Sequence, residues 1–157
     1  MMRALRLSLL FALLVNTNFA FAEPTEVFWE DLVPKNYVAP PVDIDHAIST
    51  GQQNLSAPVV TKFNNMEVKI PGFVVPLEGN QDNITEFLLV PFFGACIHVP
   101  PPPPNQIVYV KIPKGVPAMA LTDVVWVVGT LTTESWSGEI ATVGYTLQGQ
   151  EVLPYDG

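Results

Sequence analysis

Cys96 and His98 are the residues of this 157-residue chain whose types and spacing carry the most chemistry. Cys96 is the only cysteine, and His98 is one of two histidines, the other being His46. In an extended backbone side chains alternate with period two, so Cys96 and His98 would share a face. A thiolate and an imidazole on one face suit a transition metal. Zn²⁺ accepts S and N donors and takes about four ligands, and Cu⁺ also accepts the soft sulfur. Two ligands are local, and the rest would come from His46, Asp43, Asp45, a nearby Glu or water. A Cys-x-His pair is a weak signal by itself. The metal-free alternative is a buried cysteine packed as a small hydrophobe, beside a histidine bonded to backbone. A further alternative is a thiol-dependent enzyme with Cys96 as nucleophile, activated by His98 or His46. Nothing local supplies the helix N-terminus or arginine that commonly activates such a thiol. Glu30-Asp31 and the Asp43/Asp45 pair sit in polar segments and read as solvated carboxylates.

The residues after this pair are unusual too. Pro100, Pro101, Pro102, Pro103 and Pro104 follow Val99, and Asn105 and Gln106 lead into the next apolar run. Proline fixes φ and lacks an N–H, so five in a row favour a polyproline II rod and cannot form ladder backbone. The tract is either a stiff surface connector or a rigid ledge that docks a partner together with Asn105 and Gln106.

The elements that must position these groups read as strands. Val59–Phe63, Glu67–Leu77, Ile84–Val90, Ile107–Ile112, Val124–Leu131, Ala141–Leu147 and Gln150–Leu153 are short apolar or alternating runs. Gly79-Asn80, Pro113 to Gly115, Ser137-Gly138 and Gly149 supply turn signals between them. Within Glu67–Leu77, Val68 and Ile70 share one parity, whereas Phe73, Val75 and Leu77 share the other. That pattern predicts a β-bulge or bend at Pro71-Gly72. Trp126 lies in a fully apolar run and reads as core, and Trp136 sits near a hairpin tip. Many short strands, 16 prolines and little helical periodicity predict an all-β fold with minor α content. The first choice is a compact small β-barrel of the oligonucleotide/oligosaccharide-binding (OB) type. Residues 67–157 form its core, and residues 23–66 form an N-terminal docking and loop region. In the latter, Phe28, Trp29 and Leu32 read as an apolar anchor, and Asp43–Asn54 as loop with a turn or two of helix.

Residues 1–22 read as a cleavable signal peptide. Arg3 and Arg6 precede the apolar run Leu7–Val15, and Ala20-Phe21-Ala22 places cleavage after Ala22. Nine apolar residues are too few to span a bilayer, which needs about 20. With no cysteine near the cleavage point, a lipid anchor there is ruled out. The chain is expected to be exported, with no stable membrane insertion after cleavage. Cleavage removes both arginines and leaves five lysines against fifteen carboxylates, a formal charge of −10. So acidic a domain repels polyanions, which argues against nucleic-acid binding. In an oxidising compartment a lone cysteine has no intrachain partner, which marks Cys96 further.

Three segments carry a family resemblance: Phe28 to Pro34, Ile70 to Glu78, and Glu86 through Val110, with Phe93-Gly94-Ala95-Cys96-Ile97-His98-Val99 and the proline tract the most specific. Together they resemble the bacterial domain-of-unknown-function family 3299. The resemblance implies a small exported protein of a Gram-negative bacterium, soluble in the periplasm here because the anchoring cysteine is missing. It also implies that some relatives are encoded beside envelope transport machinery of the ATP-binding-cassette type. The expectation is therefore a periplasmic, non-enzymatic accessory protein serving envelope transport or metal handling, its partner another envelope protein. Its site would lie near Cys96, His98 and the proline tract; the alternatives are the thiol enzyme or a purely structural interaction domain.

Overall fold

A computed structural model describes residues 23–38, 53–95 and 101–156. Eight strands follow in order: β1 (Thr25–Glu26), β2 (Met66–Asn80), β3 (Asn83–Val90), β4 (Val108–Val116), β5 (Val125–Thr132), β6 (Trp136–Ser137), β7 (Thr142–Val143) and β8 (Tyr145–Pro154). The helical elements among the described residues are short 3-10 turns at Trp29–Leu32, Pro104–Gln106 and Ala118–Leu121. Strands β2-β3-β4-β8-β5 pair in that order, and β5 returns to β2, closing a five-stranded barrel. All contacts around it are antiparallel except β4–β8, which is parallel. The all-β, OB-like barrel expected from the sequence is the fold of this chain.

Closure depends on the length of β2. Its first half, Met66 to Gly72, pairs with β5, and its second half, Phe73 to Asn80, pairs with β3. The change of partner falls at Gly72, where a Cβ would lie 2.8 Å from the Val90 carbonyl oxygen. No side chain fits that approach, so glycine is required. The expected bulge at Pro71-Gly72 is absent. Register runs unbroken from Met66 to Gly72 against β5 and from Phe73 to Pro76 against β3; the shifts fall at Glu78 and Gly79.

The change of apolar parity has another cause. Val68, Ile70 and Val74 contribute to the barrel core, with Phe87, Leu89, Val110, Val127, Tyr145 and Leu147. Phe73, Val75 and Leu77 point outward into a second core. There they meet Leu88, Val90 and Tyr109 beneath Ala95, Trp136, Ala141 and Val143. The outer face of β2–β3–β4 is thus covered by the small β6–β7 hairpin. A strand buried on both faces reads as continuously apolar, which explains the run Phe87-Leu88-Leu89-Val90.

Other expected elements shift in detail. Val59–Phe63 is not a strand; Lys62–Asn65 is a turn that delivers the chain to β2. Ala141–Leu147 divides at Gly144, whose N–H donates to the Pro104 carbonyl at 2.7 Å. The expected terminal strand merges into β8, and Pro113–Gly115 lies within β4. Trp126 is buried, but on the barrel's outer surface, with Phe28 at 5.8 Å, Tyr155 at 5.3 Å and the Lys69 ammonium at 4.8 Å.

The N-terminal anchor docks on the barrel. Val27 and Leu32 are fully buried, and Trp29 Nε1 donates to the Pro71 carbonyl at 2.7 Å. Tyr145, buried in the barrel core, donates its hydroxyl to the Leu32 carbonyl at 2.8 Å and accepts from Val60 N–H at 2.6 Å. Burial raises the Tyr145 pKa above the ordinary phenol value, and the Val60 hydrogen bond opposes that rise.

Candidate functional site

The connection from β3 to β4 leaves the barrel through an exposed aromatic pair. Phe92 is 47% exposed and Phe93 76% exposed. Gly94 takes φ 82°, and Ala95 then turns inward and is fully buried. Phe93 meets Phe73 edge-on with ring centroids 6.0 Å apart. Together with Val75, Val90 and Leu121 these rings border a small pocket of about 70 Å³. Cys96, His98 and Pro100, like His46, Asp43 and Asp45, lie outside the described residues. Among the described residues no three His, Cys, Asp or Glu side chains converge to hold a metal ion.

The chain re-enters the described structure at Pro101 and is firmly held. Pro102 and Pro104 are buried, Pro101, Pro103 and Gln106 are half-buried, and Asn105 is 1% exposed. Prolines offer carbonyl acceptors but no donors, so other elements must supply the donors. The Pro102 carbonyl accepts from Gln53 Nε2 at 2.7 Å. The Pro103 carbonyl accepts from Gln106 N–H at 2.8 Å, and the Pro104 carbonyl from Gly144 N–H at 2.7 Å. Asn105 Nδ2 donates to the Pro58 carbonyl at 2.9 Å, and Gln106 Nε2 to the Trp29 carbonyl at 2.8 Å. The inner faces of Pro102, Pro104 and Asn105 are therefore committed to this chain's own segments. Pro101 and Pro103 keep partly open faces.

Gln53 joins these parts, and no motif in the sequence singled it out. Its amide acts as a one-residue strand: Nε2 donates to the Thr142 carbonyl at 2.5 Å, while Oε1 accepts from Thr142 N–H at 2.8 Å. The same Nε2 reaches the Pro102 carbonyl. The point where the chain returns after residue 52 therefore adjoins the point where it returns after residue 100. Both lie against β7.

Next to this anchor, Trp136 of β6 stacks on Tyr109 of β4, with centroids 4.3 Å apart and planes inclined by 16°. Gly138 lies close against the indole, where a Cβ would collide with its six-membered ring. Tyr109 donates its hydroxyl to the Glu86 carboxylate, and Lys111 stands 3.8 Å from the same group. Burial first, then the Glu86 hydrogen bond and the Glu86 and Glu78 charges, push the Tyr109 phenol well above its ordinary value. Glu78, Glu86, Glu139, Leu77 and Trp136 line a groove of about 330 Å³ at the hairpin's rim. The arrangement is an aromatic edge flanked by carboxylates.

Comparison with known proteins agrees with the fold. The family model described as "Protein of unknown function (DUF3299)" matches residues 29–154. A crystal structure of a DUF3299 family protein from Pseudomonas aeruginosa PAO1 superposes with a TM-score of 0.75 at 44% identity. The match covers 87% of this chain and 99% of that one. A search of curated proteins gave no match.

Proposed function

The chain belongs to the DUF3299 family of proteins of unknown function, and from that premise we propose that it is a periplasmic, non-enzymatic binding protein serving envelope transport or metal handling. Its site is the end of the barrel where the β3–β4 connection leaves and returns. Residues 1–22 are its signal peptide, cleaved after Ala22.

The observation that carries this reading is the Gln53 bridge to Pro102 and Thr142. It brings together the return points of the two segments that hold His46 and the Cys96–His98 pair. The seven residues from His46 to Gln53 reach at most about 25 Å, and the four from His98 to Pro102 about 14 Å. Chain length therefore allows the three side chains to meet. The exposed Phe92 and Phe93 rings and the open faces of Pro101 and Pro103 flank the same end. An exposed aromatic pair on a well-anchored scaffold suits a protein partner.

Metal analysis and thiol accessibility on the protein purified from the periplasm test this reading. Binding of Zn²⁺ or Cu⁺, lost in Cys96→Ser and in His98→Ala, supports the metal-handling form. Metal-free protein without measurable affinity, whose thiol reacts only on unfolding, removes that form and leaves the partner-docking face. Rapid alkylation of Cys96 at neutral pH that abolishes a catalytic turnover would overturn the non-enzymatic reading.

A further inference from the structure

Removing residues 1–22 creates a positive charge as well as a free chain end. In the precursor, the nitrogen of Glu23 is a neutral peptide group; after cleavage it is an α-ammonium. Strand β1 begins two residues later, in parallel register with β2, Thr25 opposite Val68 and Glu26 opposite Lys69. Continuing that register sets Pro24 beside Glu67 and Glu23 beside Met66. Glu23, Pro24 and Glu26 form one wall of an open groove of about 990 Å³. The groove's other charged side chains are Glu67 and Lys69 of β2, Lys114 of β4 and Glu151 of β8.

Positive charge is short in this groove. The Lys69 ammonium is committed to Glu26 at 2.8 Å. That hydrogen bond raises the Lys69 pKa; burial opposes it, and the Glu26, Asp156 and Glu23 charges add to the rise. Lys114 makes no ion pair among the described residues, and neither do Glu23, Glu67 and Glu151. Meanwhile β1 is held to the barrel edge by two paired residues and the Val27 N–H to Lys69 carbonyl bond at 3.0 Å. So short an edge strand belongs to the part of a fold that opens most easily.

We propose that the α-ammonium group formed at Glu23 is a structural cation, which seats against the carboxylates of this groove, Glu67 foremost, and fastens β1 to the barrel. This rests on the reading of residues 1–22 as a cleaved signal. Processing then tightens the N-terminal segment, and the precursor holds it more loosely. The sign of the pH dependence follows. An α-amino group ordinarily titrates at about 7.7–8.0, and neighbouring carboxylates raise that value in the folded state. The stabilisation is fully present below about pH 8 and is lost as pH rises through the raised folded-state value.

The test compares the chain beginning at Glu23 with a free amine, the same chain N-terminally acetylated, and the Glu67→Gln variant of each. The α-amine is expected to titrate above its ordinary range in the free form, by NMR of labelled Glu23. Acetylation is expected to lower Tm at pH 6.5 by about 2 °C, the shift an ordinary surface ion pair gives a domain of this size. The difference should vanish at pH 10.5 and shrink in the Glu67→Gln pair. An α-amine that titrates in its ordinary range with an unchanged Tm overturns the proposal, as does an acetylation effect that persists at pH 10.5. The mass of the protein recovered from the periplasm checks the processing separately. A mature terminus other than Glu23 sinks the cleavage reading, while the purified Glu23 form still decides the charge coupling.

Discussion

Gln53→Leu and Gln53→Glu together test whether the candidate site is held by one side-chain amide. The amide makes three hydrogen bonds, donating to the Pro102 and Thr142 carbonyls and accepting from Thr142 N–H. A net contribution of about 0.5–1.5 kcal/mol each, taken toward the low end because Gln53 is only partly buried, gives about 2 kcal/mol for Gln53→Leu. For a domain of this size that corresponds to a Tm lowering of about 6–10 °C. Leucine has nearly the same volume, so the loss reports hydrogen bonding more than packing. Gln53→Glu keeps the acceptor for Thr142 N–H but turns a carboxylate oxygen toward two carbonyl oxygens, and it should cost more than leucine at pH 7. Those carbonyls favour the protonated acid, which raises its folded-state pKa above the unfolded value of about 4.3. Raised folded-state values stabilise at low pH and lose that stability as pH rises. Relative to wild type at the same pH, Gln53→Glu should therefore recover between pH 7 and pH 4.5, whereas Gln53→Leu should not. Urea unfolding of the chain beginning at Glu23, at both pH values, reads this directly. A Gln53→Leu loss below about 0.5 kcal/mol, or a glutamate variant no worse than leucine at pH 7, would refute the reasoning.

Asn105→Ala should destabilise by about 2 kcal/mol in urea unfolding, because it removes the hydrogen bond from the buried Asn105 amide to the Pro58 carbonyl and leaves the space of that amide unfilled. Gly138→Ala should displace the Trp136 ring from Tyr109 and cost about 1–3 kcal/mol by overpacking, with a change in tryptophan emission as the optical sign. Tyr109 and Tyr145 both have raised phenol pKa values, so their protonated forms stabilise the fold up to the unfolded value of about 10. Above that pH stability should fall, and an ultraviolet titration should show both phenols ionising late, with unfolding. Phe93→Ser should change stability by less than about 0.5 kcal/mol, because the ring is 76% exposed; a larger loss would show that the ring is part of the fold rather than of a docking face.

The sequence by itself determined the barrel. Period-two alternation in β4 and in the run from Ala141 to Leu147 follows from one face meeting a core, β5 reads as a continuous apolar run, and both patterns are local enough to read from neighbouring residues. The composition determined the charge as well: fifteen carboxylates and no arginine beyond residue 22. Tertiary structure decided what lies on the barrel's outside. The parity change in β2 reads as a bulge until the β6–β7 hairpin is seen to cover Phe73, Val75 and Leu77. That cover comes from residues more than fifty positions away, and no local pattern reports it. Trp126 is apolar and buried in either reading, yet only packing against Phe28, Tyr155 and Lys69 places it outside the barrel. The proline tract was legible as rigid, since proline fixes φ whatever surrounds it. Which of its carbonyls meet donors, and that Gln53 supplies one of them, depended on where the closed barrel brings distant segments together. Cys96 and His98 were legible as chemistry from residue type alone, whereas the anchors on either side of them came from the fold.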